Sequence, residues 1–183
     1  MGKKVIFLDR DGILVEPIKL EKMKERAPIA IGEYEPIIEA KPIVKLLSNK
    51  FKIFVITNQP DFTKQKLDLK NLNEINNQVL IDFPQINKIY CCTHTIEENC
   101  ICRKPKTGLL ERAISENKLY GIEKWMVGDR WVDILAGSNF NCATVLLRRD
   151  ISWLPSGGMH APKNLKPHYE IKRISELEKI VLA

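Results

Sequence analysis

The chain has 183 residues, 44% of them hydrophobic and 28% charged, a composition that is ordinary for one globular domain spanning residues 1–183. No apolar stretch reaches membrane-spanning length, and the N-terminal apolar run is too short for a secretory signal because Asp9 interrupts it. We therefore expect a cytoplasmic protein without a membrane partner. The net charge of +6 suggests anionic partners, either phosphorylated metabolites or nucleic acid, although a solvated surface accounts for most of the dispersed lysines.

Apolar runs that suit strands alternate with helical patterns along the chain. Strands are predicted over residues 4–8, 52–56, 88–91, 125–127, 143–147 and 168–171. Between them we predict helices that begin near Pro42, Asp68, Thr107, Val132 and Ser175, the last with Glu178 in a capping box. This alternation predicts an α/β fold with a mainly parallel sheet and helices on both faces. Such sheets bind ligands beyond the carboxyl ends of their strands.

The first predicted strand ends in the motif FLDRDGIL. Asp9 and Asp11 are two residues apart, so on extended backbone their carboxylates can point to the same side, and Gly12 allows a turn. Crowded carboxylates repel each other unless a cation, a shared proton or a reaction requires them. A solvated turn at the end of a strand is the competing interpretation, and this motif alone does not exclude it.

The other strand ends supply complementary groups. Thr57 and Asn58 follow the second strand, Asp129 and Arg130 follow the fourth, and Lys104 precedes a predicted helix. This inventory suits phosphoryl transfer through an aspartyl-phosphate, with Mg²⁺ held by oxygen ligands and positioned donors that stabilise the spreading charge. We expect Asp9 and Asp129 to supply ligands, Thr57 and Lys104 to bind the phosphoryl group, and Asp11 to move the proton.

A compact cysteine and histidine cluster precedes Lys104. Cys92, His94, Cys100 and Cys102 form a CxH…CxC pattern over residues 92–102, and a Cys₃His set is common at structural zinc sites. We therefore expect a structural Zn²⁺ that anchors the loop carrying the next two cations. Cys91 and Cys142 fit better as small core residues.

The motifs FLDRDGIL, VITNQ, CRKPKTG and VGDRWVDILAG, in this order, resemble the four signature motifs of haloacid dehalogenase superfamily phosphatases. The chain is most similar to the subfamily of D-glycero-D-manno-heptose 1,7-bisphosphate phosphatases and histidinol-phosphate phosphatases, some of which have this kind of zinc loop. The resemblance implies a three-layer Rossmann-like fold without a large cap domain.

The resemblance also implies a role for each matching residue. Asp9 becomes the nucleophile, Asp11 the general acid and base, Thr57 with Asn58 the phosphoryl-binding pair, and Lys104 its neutralising cation. Mg²⁺ would be held by Asp9, the backbone carbonyl of Asp11, and Asp129. The positions matching substrate contacts are Arg103 and Arg130, although a surface ion pair is the competing interpretation of Arg130. Asp133 would orient the site without touching substrate, with a helix cap as the competing interpretation.

Two segments depart from the family pattern, residues 12–40 and the continuation after VITNQ at residues 60–67, which lacks an arginine–glycine pair. We place residues 17–20 at the substrate pocket. The leading substrate is a heptose bisphosphate or related sugar phosphate, and histidinol phosphate is the alternative. A polynucleotide 3′-phosphatase and an inactive zinc-binding module are less favoured, because clustered basic and aromatic residues are missing and the catalytic set is intact. We expect a monomer that does not bind nucleic acid.

Overall fold

The computed structural model describes residues 4–20, 24–61 and 68–181. The strands are β1 (Lys4–Leu8), β2 (Ile18–Lys19), β3 (Glu25–Arg26), β4 (Phe51–Asn58), β5 (Lys88–Cys92), β6 (Lys124–Gly128), β7 (Ala143–Leu147) and β8 (Tyr169–Ile171). The helices are α1 (Ala40–Leu47), α2 (Leu69–Asp82), α3 (Gly108–Asn117), α4 (Trp131–Asn139) and α5 (Leu177–Val181). Six strands form one parallel sheet in the order β5–β4–β1–β6–β7–β8.

The central strands are apolar on both faces because helices cover both sides of the sheet. Ile6 and Leu8 pack into one cluster with α1, α5 and the end of α2. Val5 and Phe7 point the other way, into a second cluster with α3 and α4. This alternation explains why β1 reads as a continuous apolar run, and it confirms the predicted α/β architecture.

Strand register brings the carboxyl ends of the three central strands together. Leu8 of β1 lies opposite Val55 of β4 on one side and opposite Val127 of β6 on the other. The residues that follow these strands therefore emerge at a single edge of the sheet. A ligand site is expected at this edge, where the strand order reverses direction.

Two of the predicted helix starts are confirmed, although one is capped differently. Asp68 accepts a hydrogen bond from the backbone N–H of Asn71 at 2.7 Å and caps α2. Thr107 stands at the N-cap of α3, but its hydroxyl pairs with the carboxylate of Glu111 and not with the helix backbone.

The predicted capping box at the C-terminal helix is wrong. Ser175 does not begin α5, because a short 3₁₀ turn over Ile174–Glu176 leads the chain into the helix. The carboxylate of Glu176 accepts a hydrogen bond from the backbone N–H of Arg173 at 3.0 Å. The cap therefore lies two residues earlier than predicted, since the first turn is 3₁₀ and not α-helical.

The insertion after β1 is small. In the described part of residues 12–40 it forms the β2–β3 hairpin and a 3₁₀ turn over Ile31–Glu33, joined by an ion pair of Arg26 with Glu33 at 2.6 Å. No large cap domain occurs within the described ranges. None of the helices described has the length and apolar character needed to cross a membrane.

Candidate active site

The carboxyl edge of the sheet borders an open cavity of about 350 Å³. Asp9, Asp11, Lys104 and Asp129 all line it, although they are far apart in sequence. Thr57 is not among the lining residues and is 1% exposed, and its hydroxyl accepts a hydrogen bond from the side chain of Gln59. The predicted catalytic residues are therefore brought together at the edge where the sheet topology places them.

The ammonium of Lys104 is the most constrained charge in the site. Its Nζ lies 2.8 Å from Asp9 Oδ1 and 2.7 Å from Asp133 Oδ1, and it donates to the carbonyl of Ile56 at 2.6 Å. Burial alone lowers the pKa of Lys104, but the carboxylates of Asp133 and Asp9 outweigh burial and raise it. The lysine is therefore a permanent cation beside Asp9.

The carboxylates outnumber that cation. Burial raises the pKa of Asp9 to about 7, with Asp133 and Asp11 adding to the rise while Lys104 opposes it. Burial, Asp9 and Asp133 likewise raise the pKa of Asp129 well above its ordinary value. The site thus favours an additional positive charge.

Three carboxylates are close enough to share a cation, since oxygens of Asp9, Asp129 and Asp133 lie within 4.8 Å of one another. Oxygen ligands of this kind fit Mg²⁺. Asp133, however, already pairs with Lys104 through Oδ1 and accepts a hydrogen bond from the backbone N–H of Arg130 through Oδ2 at 3.0 Å. Asp9 and Asp129 are therefore the freer ligands, and Asp133 orients the lysine.

The side chain of Asn58 also holds Lys104, through hydrogen bonds to the lysine backbone. The amide of Asn58 donates to the carbonyl of Lys104 at 3.1 Å and accepts from the N–H of Lys104 at 3.0 Å. The predicted contact of Asn58 with a phosphoryl group stays a prediction, because the nitrogen and the oxygen of its side-chain amide both form hydrogen bonds with the backbone of Lys104. What the geometry assigns to Asn58 is the positioning of Lys104.

Two arginines predicted to contact substrate line the cavity and are anchored by backbone carbonyls. Arg103 donates through Nη1 to the carbonyl of His94 at 3.2 Å. Arg130 donates through Nη2 to the carbonyls of Leu154 and Pro155 at 3.3 and 3.4 Å. Their positions are compatible with an anionic ligand.

The pocket wall differs in part from the prediction. Pro17 lines the cavity, but the wall continues at residues 25–27 of the hairpin and not through residues 18–20. Pro60 and Asp61 also line it, whereas residues 62–67 of the atypical segment lie outside the described ranges. The hairpin residues reach the cavity because the chain folds back, which has no local signal in the sequence.

Sequence reasoning missed Arg149. Its guanidinium lies 3.2 Å from Asp129 Oδ2 through Nη1 and 2.9 Å from Glu25 Oε1 through Nη2, joining a candidate metal ligand to the hairpin. Arg149 follows β7, so the end of a fourth strand, after those of β1, β4 and β6, contributes to the site. Its position just after a predicted strand was the available signal.

A glycine is required at position 12 because the side chains of Asp129 and Arg149 lie very close to it, and because its backbone has a positive φ. Its φ is +88°, and a Cβ at this position would lie 2.3 Å from Asp129 Oδ2 and 2.6 Å from Arg149 Nη1. Any side chain here would therefore displace the Asp129–Arg149 pair.

The four predicted zinc ligands form a compact cluster beside this site. Cys92 Sγ lies 3.6 Å from His94 Nδ1 and from Cys100 Sγ, while Cys102 Sγ lies 3.2 Å from that nitrogen and 3.3 Å from both sulfurs. Zinc bonds of about 2.0–2.3 Å give tetrahedral edges of about 3.5–3.8 Å, close to these distances. The donor set therefore fits a tetrahedral Zn²⁺.

Comparison with known families finds two matches. The model for polynucleotide kinase 3 phosphatases matches residues 4–135, which is more than half of the chain. The model for HAD-hydrolase-like proteins matches residues 101–177.

Curated relatives include heptose-bisphosphate phosphatases and histidine biosynthesis proteins. The chain is 32% identical to D-glycero-beta-D-manno-heptose-1,7-bisphosphate 7-phosphatase of Helicobacter pylori, over 79% of this chain and 83% of that protein. It is also 32% identical to the histidine biosynthesis bifunctional protein HisB of Campylobacter jejuni, over 84% of this chain but only 44% of HisB.

Solved structures share the fold at lower identity. D,D-heptose 1,7-bisphosphate phosphatase from B. bronchiseptica, complexed with magnesium and phosphate, matches with a TM-score of 0.76 and 20% identity over 98% of both chains. A putative HAD-like phosphatase from Mesorhizobium loti matches with a TM-score of 0.73 and 19% identity, over 99% of this chain and 85% of that one.

The short distance between Gly12 and the side chain of Asp129 can be tested by substitution. Gly12→Ala should lower phosphate release from p-nitrophenyl phosphate by about 100-fold, because the methyl group pushes Asp129 out of position. Gly32→Ala is the matched control, since a Cβ at Gly32 meets nothing within 4 Å. Circular dichroism checks that both variants fold. Equal activity of the two folded variants would contradict the assigned role of Gly12.

Proposed function

Because the chain belongs to the haloacid dehalogenase-like phosphatases, in the group of heptose-bisphosphate and histidinol-phosphate phosphatases, we propose that it removes one phosphate from a heptose 1,7-bisphosphate or a related sugar phosphate. The observation that carries this proposal is the buried Lys104, held between Asp9 and Asp133 at the edge of a cavity that Asp129 also enters. This arrangement matches what an aspartyl-phosphate mechanism needs, namely a nucleophilic carboxylate beside a fixed cation.

In the first step Asp9 attacks the phosphorus atom. Its Oδ1 is held by Lys104 and by the backbone N–H of Arg10 at 2.8 Å each, so Oδ2 is the oxygen that forms the new O–P bond. The bond between phosphorus and the leaving oxygen breaks, and Asp11 gives that oxygen a proton. Lys104 stabilises the charge on the phosphoryl oxygens, with Thr57 as a further donor.

In the second step the aspartyl-phosphate is hydrolysed. A water molecule attacks the phosphorus atom, and Asp11, now ionised, takes its proton. The O–P bond to Asp9 breaks, so both carboxylates return to their starting state. Mg²⁺ held by Asp9, Asp129 and the Asp11 carbonyl would supply the positive charge that lets an anionic carboxylate approach an anionic phosphate.

The cavity suits a compact substrate with more than one anionic group. Its volume of about 350 Å³ accommodates a phosphosugar, and Arg103 and Arg130 line it together with the buried Lys104. A bisphosphate would place its reacting phosphate at Lys104 and its second phosphate near these guanidinium groups. Such metabolites fit the proposed cytoplasmic location.

Histidinol phosphate is the second candidate, since HisB of Campylobacter jejuni is as similar in sequence as the heptose enzyme of Helicobacter pylori. The match to the polynucleotide phosphatase model makes a 3′-phosphorylated oligonucleotide a necessary third comparison. The Cys₃His cluster is proposed to hold a structural Zn²⁺ that fixes the loop before Arg103 and Lys104.

The substrate proposal is tested by phosphate release. Both anomers of heptose 1,7-bisphosphate, histidinol phosphate, other sugar phosphates and a 3′-phosphorylated oligonucleotide are compared with Mg²⁺ present. We expect the highest kcat/KM with a heptose bisphosphate. In Asp9→Asn, kcat/KM should fall by at least about 1000-fold, because the nucleophile is removed.

A higher kcat/KM for histidinol phosphate or the oligonucleotide would reassign the substrate. Wild-type activity in Asp9→Asn would refute the aspartyl-phosphate mechanism. The remote surface carboxylate of Glu178 provides the control variant Glu178→Gln, which should keep full activity.

The zinc proposal is tested by metal analysis of the purified protein. We expect one equivalent of zinc in the wild type, and loss of that zinc with a lower melting temperature in Cys100→Ser, because three ligands hold the metal less tightly. Cys91→Ala is the matched control, since Cys91 lies next to the cluster but is not one of its four ligands. Full phosphatase activity in protein that contains no zinc would contradict a structural role.

A further inference from the structure

Gln59 is a buried amide whose side chain contacts two predicted catalytic residues. It is 1% exposed, and its Nε2 donates to Asp11 Oδ2 at 2.6 Å and to Thr57 Oγ1 at 2.8 Å. Its backbone N–H donates to the carbonyl of Cys92 at 2.7 Å, which fixes the residue against β5. Gln59 is therefore held in place by the sheet and directs its amide at Asp11.

The other carboxylate oxygen of Asp11 also accepts a hydrogen bond. Arg10 is fully buried, and its Nε donates to Asp11 Oδ1 at 3.1 Å while its Nη1 donates to Asn76 of α2 at 2.9 Å. The two oxygens of Asp11 thus accept hydrogen bonds from different residues. Rotation of the carboxylate would break both contacts, so its orientation toward the cavity is fixed.

The arrangement of Gln59 is poor for stability alone. Its Oε1 is buried and has no hydrogen-bond partner among the described residues. A buried polar atom without a partner is costly, and such costs concentrate at functional sites. Nε2, in contrast, serves two acceptors, both of them residues of the proposed reaction.

We infer that Gln59 is a positioning residue that, together with Arg10, orients Asp11 for proton transfer to the leaving oxygen. This inference rests on the proposed function and deepens it. Asp11 must approach the leaving oxygen within hydrogen-bond distance to protonate it, so a carboxylate free to rotate would spend less time in the productive geometry.

The consequence depends on the leaving group. A sugar alkoxide is a poor leaving group and needs the proton from Asp11, whereas p-nitrophenolate leaves without one. Loss of the Gln59 contact should therefore slow the sugar ester selectively. Any effect through Thr57 acts on the phosphoryl group, which both substrates share, and cancels in the ratio of their kcat/KM values.

The test compares kcat/KM of Gln59→Met for the best sugar phosphate and for p-nitrophenyl phosphate. We expect the sugar phosphate to lose about tenfold more than the aryl phosphate, a part of the ~10²–10⁴ that general acid catalysis provides. Gln78→Met is the matched control, because Gln78 lies on α2 and contacts only Asp82 among the hydrogen bonds described. It should leave the ratio unchanged.

Gln59→Met is then combined with Asp11→Asn in a double variant. If Gln59 acts through Asp11, the selective loss disappears in this background, since the proton donor is already gone. Gln59→Asn, which keeps the amide but shortens its reach, replaces Gln59→Met if the latter fails to fold, with the same expected ratio.

Equal losses with both esters, or a selective loss that persists in Asp11→Asn, would overturn the inference. These results are distinct from failure of the proposed function, which Asp9→Asn reports.

Discussion

The buried ion pair of Lys104 with Asp9 and Asp133 is the constraint on which the rest of the site depends. A lysine that is 2% exposed must keep anionic partners, and these are Asp9, directly after β1, and Asp133 of α4. Asp9, Asp129 and Asp133 outnumber Lys104, and burial together with the neighbouring carboxylates raises the pKa of Asp9 and of Asp129. A phosphatase needs this imbalance, because it creates a place for a divalent cation next to a nucleophilic carboxylate.

Other parts of the fold keep that lysine in place. Asn58, at the end of β4, bonds both backbone groups of Lys104, and the Cys₃His cluster ends only two residues before it. Gly128, just before Asp129, must be a glycine for a steric reason, because a Cβ there would lie 2.3 Å from the side chain of Asp133. Backbone hydrogen bonds, the neighbouring Cys₃His cluster and the two glycines therefore all constrain the same few charged side chains.

The sequence was sufficient to predict the sheet and the residues at the strand ends. Asp9, Thr57 and Asp129 were found because each directly follows an apolar run, and a parallel sheet places such residues at one edge. Arg149 was missed although it lies just after β7, whereas the hairpin wall at Glu25 was missed because its residues reach the site across loops. Their contacts depend on how the chain folds back, which periodicity does not encode. Gln59 stood in the VITNQ motif, but its bond to Asp11 depends on the spacing between β1 and β4.

The central claim is that Asp9 carries the phosphoryl group during turnover, and chemical trapping tests it most directly. The enzyme is mixed with its best sugar phosphate and quenched during turnover, then treated with borohydride, which reduces an aspartyl-phosphate to homoserine. Peptide mass spectrometry then locates the reduced residue. The account predicts reduction at position 9 alone, dependent on substrate and absent in Asp9→Asn. Reduction at another carboxylate, or none at position 9 while phosphate is released, would contradict it.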